Sequence, residues 1–106
     1  MSSTEIYIAK DFSPSPAGRY PDDGPFNGQL FRESLLLPAV KNYDQVVINL
    51  NDTGGYGSSF LEEAFGGLVR AGFGLQELHR KLVLISARKT YESKVWSYIE
   101  RAATHS

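Results

Sequence analysis

Short apolar runs with a period of two alternate along this chain with longer stretches whose apolar positions recur near 3.6. That alternation predicts strands and helices in turn. Glu5-Ile6-Tyr7-Ile8-Ala9 reads as a first strand, with Ile6 and Ile8 on one face. Val46-Val47-Ile48-Asn49-Leu50 reads as a buried strand. Lys81-Leu82-Val83-Leu84-Ile85-Ser86 is apolar on both faces, so it is expected at the centre of a sheet. Between the first two runs, Leu30, Phe31, Ser34 and Leu35 predict a helix capped by Asn27, with Leu35-Leu36-Leu37 in the core. Pro38 disfavours helical geometry at Leu37, so this helix is expected to end near Leu36 or to kink there. Phe60, Leu61, Ala64, Phe65, Leu68 and Val69 form the broad apolar face of a further helix, with Glu62, Glu63 and Gly66 turned away from it. Gly72-Phe73-Gly74 closes that helix, and Leu75 to Arg80 predicts one short helical turn. Thr90-Tyr91-Glu92 opens a last helix, whose Val95, Trp96, Ile99 and Ala103 are spaced to pack on the sheet. Arg101 and His105 suit its C-terminal dipole.

Strands alternating with amphipathic helices predict an α/β fold, a mainly parallel central sheet with helices packed against it. The 106 residues suggest a single domain spanning 1–106, without internal repeats. Two stretches break the regular pattern. Asp11 to Gly28 holds four prolines, three glycines and three aspartates, a composition that predicts a long functional loop, with Ala17-Gly18-Arg19-Tyr20 as a turn or a short edge strand. Arg19 is the one cation in that loop, and is either a solvated surface side chain or an anion contact. Gly66-Gly67 sits inside a helix at a cost of about 1 kcal/mol per glycine relative to alanine, which suggests the close passage of another backbone.

Composition narrows the chemistry mainly by exclusion. A net charge of −1 gives no electrostatic footprint for nucleic acid. The absence of cysteine excludes disulfides, thiol catalysis and zinc–thiolate sites. His79 and His105 lack metal-ligand spacing to acidic partners, so neither a metal nor another cofactor is expected. No apolar run approaches a membrane span, and Met1-Ser2-Ser3-Thr4 leads directly into a strand-like run, so the chain is expected to be cytoplasmic.

The chemistry that remains is concentrated in Gly54-Gly55-Tyr56-Gly57-Ser58-Ser59, between a strand and a helix. Ser59 and Glu62 have the S-x-x-E spacing of a capping box, which would leave the Ser58 hydroxyl uncommitted just outside the helix. The pair therefore has two readings, a helix cap or a site for an attached or bound phosphate in the field of the first helical amides. The glycine turn lacks the lysine of a phosphate-binding P-loop. As a hydrolase elbow the segment has Phe60 where the second glycine belongs and no placed histidine base, so no catalytic residue is assigned. Glu62 and Glu63 are adjacent, hence about 100° apart around a helix, and do not by themselves make an acid/base pair.

Gly57-Ser58-Ser59-Phe60-Leu61, following a strand and opening an amphipathic helix, resembles the D-S-[ST]-G-L motif of STAS domains, the anti-anti-sigma factor fold. Gly57 stands at the aspartate position and Phe60 at the glycine position. Gly18-Arg19-Tyr20 through Asp23-Gly24-Pro25, Gly28 and Phe31-Arg32, together with Ser58 to Gly66, are more closely similar to the STAS-like group DUF4325. The resemblance implies a non-enzymatic bacterial signalling module partnered by a GHKL-type histidine-kinase-like ATPase or an anti-sigma-type protein. It makes Ser58 and Ser59 the phosphoacceptor candidates, and assigns Arg19, Glu62 and Glu63 to the partner surface. The alternative expectation is a constitutive anion- or nucleotide-phosphate-binding module, using the Gly54–Gly57 turn (Gly55 and Gly57 included) and Arg19.

Overall fold

A computed structural model describes residues 2–104 of the chain; His105, assigned above to the last helix, lies outside the described residues. Three strands, β1 (Ser3–Tyr7), β2 (Gln45–Asn49) and β3 (Leu82–Ile85), form one parallel sheet in that order. Their register aligns Ile6 with Ile48 and Ile48 with Leu84. Helices α1 (28–42), α2 (58–70), α3 (Leu75–Lys81) and α4 (Lys89–Thr104) complete an α/β fold. The elements follow the predicted sequence, with differences that physical chemistry explains.

First, β2 is central and β3 lies at an edge, contrary to the expectation from its apolar run. Ile6, Val46, Ile48 and Leu82 share the buried face of the sheet, while Val83 and Ile85 point the other way and are 38% and 41% exposed. An apolar run on both faces therefore reflects strand propensity here, not burial on both sides. β1 also ends at Tyr7, and Ile8–Phe12 winds into a single π turn closed by the Ser13 N–H donating to the Ile8 carbonyl at 2.8 Å. Second, α1 does not end near Leu36. It passes through a π turn at Arg32–Leu36, resumes α geometry at Leu37–Asn42 and takes Pro38 into the first positions of that segment, where a missing N–H is tolerated. Its start is as read: Asn27 Oδ1 accepts from the Leu30 N–H at 2.9 Å.

Third, α4 packs chiefly along α2 rather than on the sheet, burying Val95 and Ile99. Trp96 stacks on His79 of α3 with ring centroids 4.2 Å apart. Fourth, the close backbone approach is at Gly28, not at the glycine pair. A Cβ on Gly28 would lie 2.7 Å from the Phe60 carbonyl oxygen and 3.2 Å from the Ala64 nitrogen. Gly66 meets the Tyr98 carbonyl oxygen only at an ordinary 3.5 Å, and at Gly67 the space is filled by the Arg32 guanidinium. The long loop forms no strand at Ala17–Tyr20 and holds only a 3₁₀ turn at Pro21–Asp23.

Helix α2 is the hub of the core. Phe60, Leu61, Ala64, Phe65 and Leu68 are fully buried, and Phe60 and Phe65 reach Phe31 of α1 at 5.7 and 6.3 Å between ring centroids. Its C-terminus closes as a Schellman turn: Gly72 takes φ +113° while the Phe73 and Gly72 amides return to the Leu68 and Val69 carbonyls.

Candidate functional site

The β2–α2 loop is held from several sides before it reaches the serines. The Gly54 N–H donates to the Pro14 carbonyl at 2.8 Å, Gly55 adopts φ +130°, and the Tyr56 hydroxyl donates to the Leu50 carbonyl at 2.9 Å. Tyr56 is buried, and that burial pushes its phenol up to about 12. The helix then begins two residues earlier than the capping box requires. Gly57 is the N-cap, in extended geometry and with no side chain to donate or accept, and Ser58 and Ser59 occupy the first helical turn. Ser59 therefore caps nothing, and Ser58 is inside the helix rather than beyond it. Both serines are exposed, and among the described residues no hydrogen bond engages either hydroxyl.

Glu62 does not turn back to Ser59 because stronger partners hold it. It accepts from Arg19 Nη1, and from Arg70 Nη1 at 2.7 Å and Arg70 Nη2 at 3.2 Å. Charge-assisted bonds of this kind outweigh a bond to one neutral amide. Arg70 first, then Arg19, holds the Glu62 carboxyl below its ordinary range, against the opposing effect of burial. Glu62 in turn raises both guanidinium groups above theirs.

Glu63 is buried, contrary to the outward face assigned to it from the helical pattern. Its carboxylate accepts from Arg32 Nη1 at 2.7 Å and from Arg19 Nη1 at 3.2 Å, and Arg70 approaches to 3.5 Å. Arg32 Nη1 also donates to the Glu63 carbonyl at 2.5 Å. The two π turns thus face one another across the α1–α2 contact, one supplying Arg32 and the other Glu62 and Glu63. The result is a cluster of three arginines and two glutamates next to the serine turn. Sequence reading assigned Arg19, Glu62 and Glu63 to the site; Arg32 entered only through the family resemblance, and Arg70 not at all. Neither carries a pairing signal: Arg70 stands eight residues after Glu62, two turns on rather than the three or four positions of a helical pair, and Arg32 lies 31 positions from Glu63.

The Arg19 guanidinium, which the anion-binding alternative would use, is paired with the two carboxylates. Gly57 faces open space. Among the described residues, no group of three or more His, Asp or Glu side chains is arranged to hold a metal ion, and no helix is long and apolar enough to cross a membrane.

A family model described as a STAS-like domain of unknown function (DUF4325) matches residues 27–92, from the cap of α1 to the first turn of α4. Arg19 lies before the matched span, whereas the serines, Arg32, both glutamates and Arg70 lie inside it. No curated protein and no solved structure matches the chain.

Proposed function

The chain belongs to the STAS-like family DUF4325, and we propose that it is a non-enzymatic regulatory module of the bacterial cytoplasm. It docks a GHKL-type histidine-kinase-like ATPase or an anti-sigma-type protein, and phosphorylation of Ser58 switches the docking. The observation that carries this reading is the pair of exposed, uncommitted hydroxyls on the first turn of α2, one turn from a charged cluster that ties α2 to the long loop.

The switch follows from helix spacing. Ser58 and Glu62 are four residues apart, so their side chains are neighbours with about 5–6 Å between Cβ atoms. The partner transfers the γ-phosphoryl of ATP to the Ser58 oxygen; the serine proton is lost and ADP departs. The product carries about −1.5 to −2 charge at neutral pH. At a helix start that charge is tolerated by the first amides, yet it repels Glu62 and competes with it for Arg19. Arg19 is the link from α2 to the 11–28 loop, so the loop and the helix start change together as a docking surface. Ser59, the other candidate, sits beside Glu63, whose carboxylate is enclosed by arginines.

Co-expression with a candidate ATPase, followed by intact-mass measurement, tests the reading. The expected result is one added phosphoryl group, lost in Ser58→Ala and kept in Ser59→Ala. A partner that binds the chain and turns over ATP without adding that mass would remove the phosphorylation step.

A further inference from the structure

At the C-terminal ends of β2 and β3 the two loops enclose a cleft of about 250 Å³. It lies just outside the carboxyl ends of these two neighbouring parallel strands. Asn51, Asp52 and Thr53 line it from the β2 side, and Ser86, Arg88 and Tyr91 from the β3 side. The walls are tied together: the Ala87 N–H donates to Asn51 Oδ1 at 2.8 Å, and the Leu50 N–H to the Ile85 carbonyl at 2.8 Å. Such a cleft is preformed.

The groups facing it are unevenly matched. Arg88 is exposed and forms no salt bridge among the described residues. Asn51 spends its carbonyl oxygen on Ala87, which leaves its NH₂ group as a donor. Against these donors stands one carboxylate, Asp52, which already accepts from the Tyr7 hydroxyl. Asp52 is also the one non-glycine residue with positive φ among the described residues, at 70°. Aspartate adopts that region more readily than most residues, and here it forms the turn that leaves β2.

We infer that this cleft binds a small hydroxylated phosphate ester, its phosphate on Arg88 and Asn51 and its hydroxyls on Asp52 and Thr53. An excess of donors with one guanidinium calls for an oxygen-rich anion. The single carboxylate suits neutral hydroxyls, since an amine would have to share it with Tyr7. A volume of about 250 Å³ is on the scale of a small phosphate ester. The wall at Asp52–Gly54 continues through Gly57 into Ser58, so a bound ester stiffens the approach to the serine turn.

Calorimetric titration of the purified chain with ribose 5-phosphate, inorganic phosphate and ribose tests the inference. Expected are saturable binding of ribose 5-phosphate, at least tenfold weaker binding of inorganic phosphate, and no heat from ribose. Arg88→Gln should lower the affinity for ribose 5-phosphate at least tenfold while keeping the wild-type unfolding midpoint, and Arg101→Gln on exposed α4 surface should leave it unchanged. Flat traces with both phosphates, wild-type affinity in Arg88→Gln, or ribose 5-phosphate binding no tighter than phosphate would each overturn it. The titration uses the chain without a partner, so its failure leaves the serine switch standing, and the reverse holds too.

Discussion

Replacing Glu63 with Gln preserves the shape of the side chain and removes its charge, which isolates the electrostatic part of the α1–α2 contact. The Glu63 and Arg32 side chains are only 7% and 13% exposed, so the pair is largely withdrawn from water. Breaking a buried pair by neutralising one partner typically destabilises by 3–5 kcal/mol, because the other charge stays buried without compensation. Two features reduce that figure here. Arg32 keeps its bond to the Glu63 carbonyl, and a glutamine oxygen still accepts from one guanidinium. A loss of about 2–3 kcal/mol is expected, a large share of the 5–15 kcal/mol that holds a typical domain. The internal control is Glu62→Gln, whose side chain is 25% exposed and whose partners Arg19 and Arg70 are 31% and 47% exposed. Pairs so open to solvent contribute about 1 kcal/mol or less. In urea, with a slope of roughly 1–3 kcal/mol per molar, Glu63→Gln should lower the midpoint by about 1–2 M and Glu62→Gln by clearly less. Equal shifts, or a Glu63→Gln midpoint close to wild type, would refute the assignment of Glu63 as the buried anchor.

Other substitutions probe the neighbouring contacts. Gly28→Ala places a methyl group 2.7 Å from the Phe60 carbonyl oxygen and should lose about 1–3 kcal/mol in the same urea assay, since a backbone atom cannot simply swing aside. With Gly57 as the cap, Ser58→Ala and Ser59→Ala should each change stability by no more than about 0.5 kcal/mol, whereas a cap serine would lose about 1. Tyr56 has a folded pKa raised to about 12 from 10.0, so the stability due to its neutral phenol is complete below pH 10 and is lost as pH rises from there towards 12. Thermal unfolding followed across that window should show a steeper decline for wild type than for Tyr56→Phe, which cannot ionise.

Most of the fold could be read from local signals because local chemistry sets it. The Asn27 cap, the six apolar positions of α2 and the Gly72 stop each act within a few residues, and each is where the pattern places it. What escaped the reading depends on distant partners. Ser59 and Glu62 have capping-box spacing, but Arg19 and Arg70 draw Glu62 away, and the helix starts at a glycine instead. Glu63 reads as a solvated residue until Arg32 and Arg19, 31 and 44 positions away, neutralise it. The apolar run at Leu82–Ile85 specifies a strand but not its neighbours, so edge and centre are indistinguishable without the sheet order. Pro38 signals an interruption, and the chain answers with a π turn rather than a helix end.

The proposed switch is tested most directly by the affinity of the purified chain for the proposed ATPase partner before and after phosphorylation, measured by calorimetry at one salt concentration. New negative charge beside Glu62 and competition for Arg19 predict at least tenfold weaker binding of the phosphorylated protein, with Ser58→Ala binding like the unmodified wild type under both conditions. Equal affinity of the two forms would contradict a phosphorylation-gated docking surface on α2.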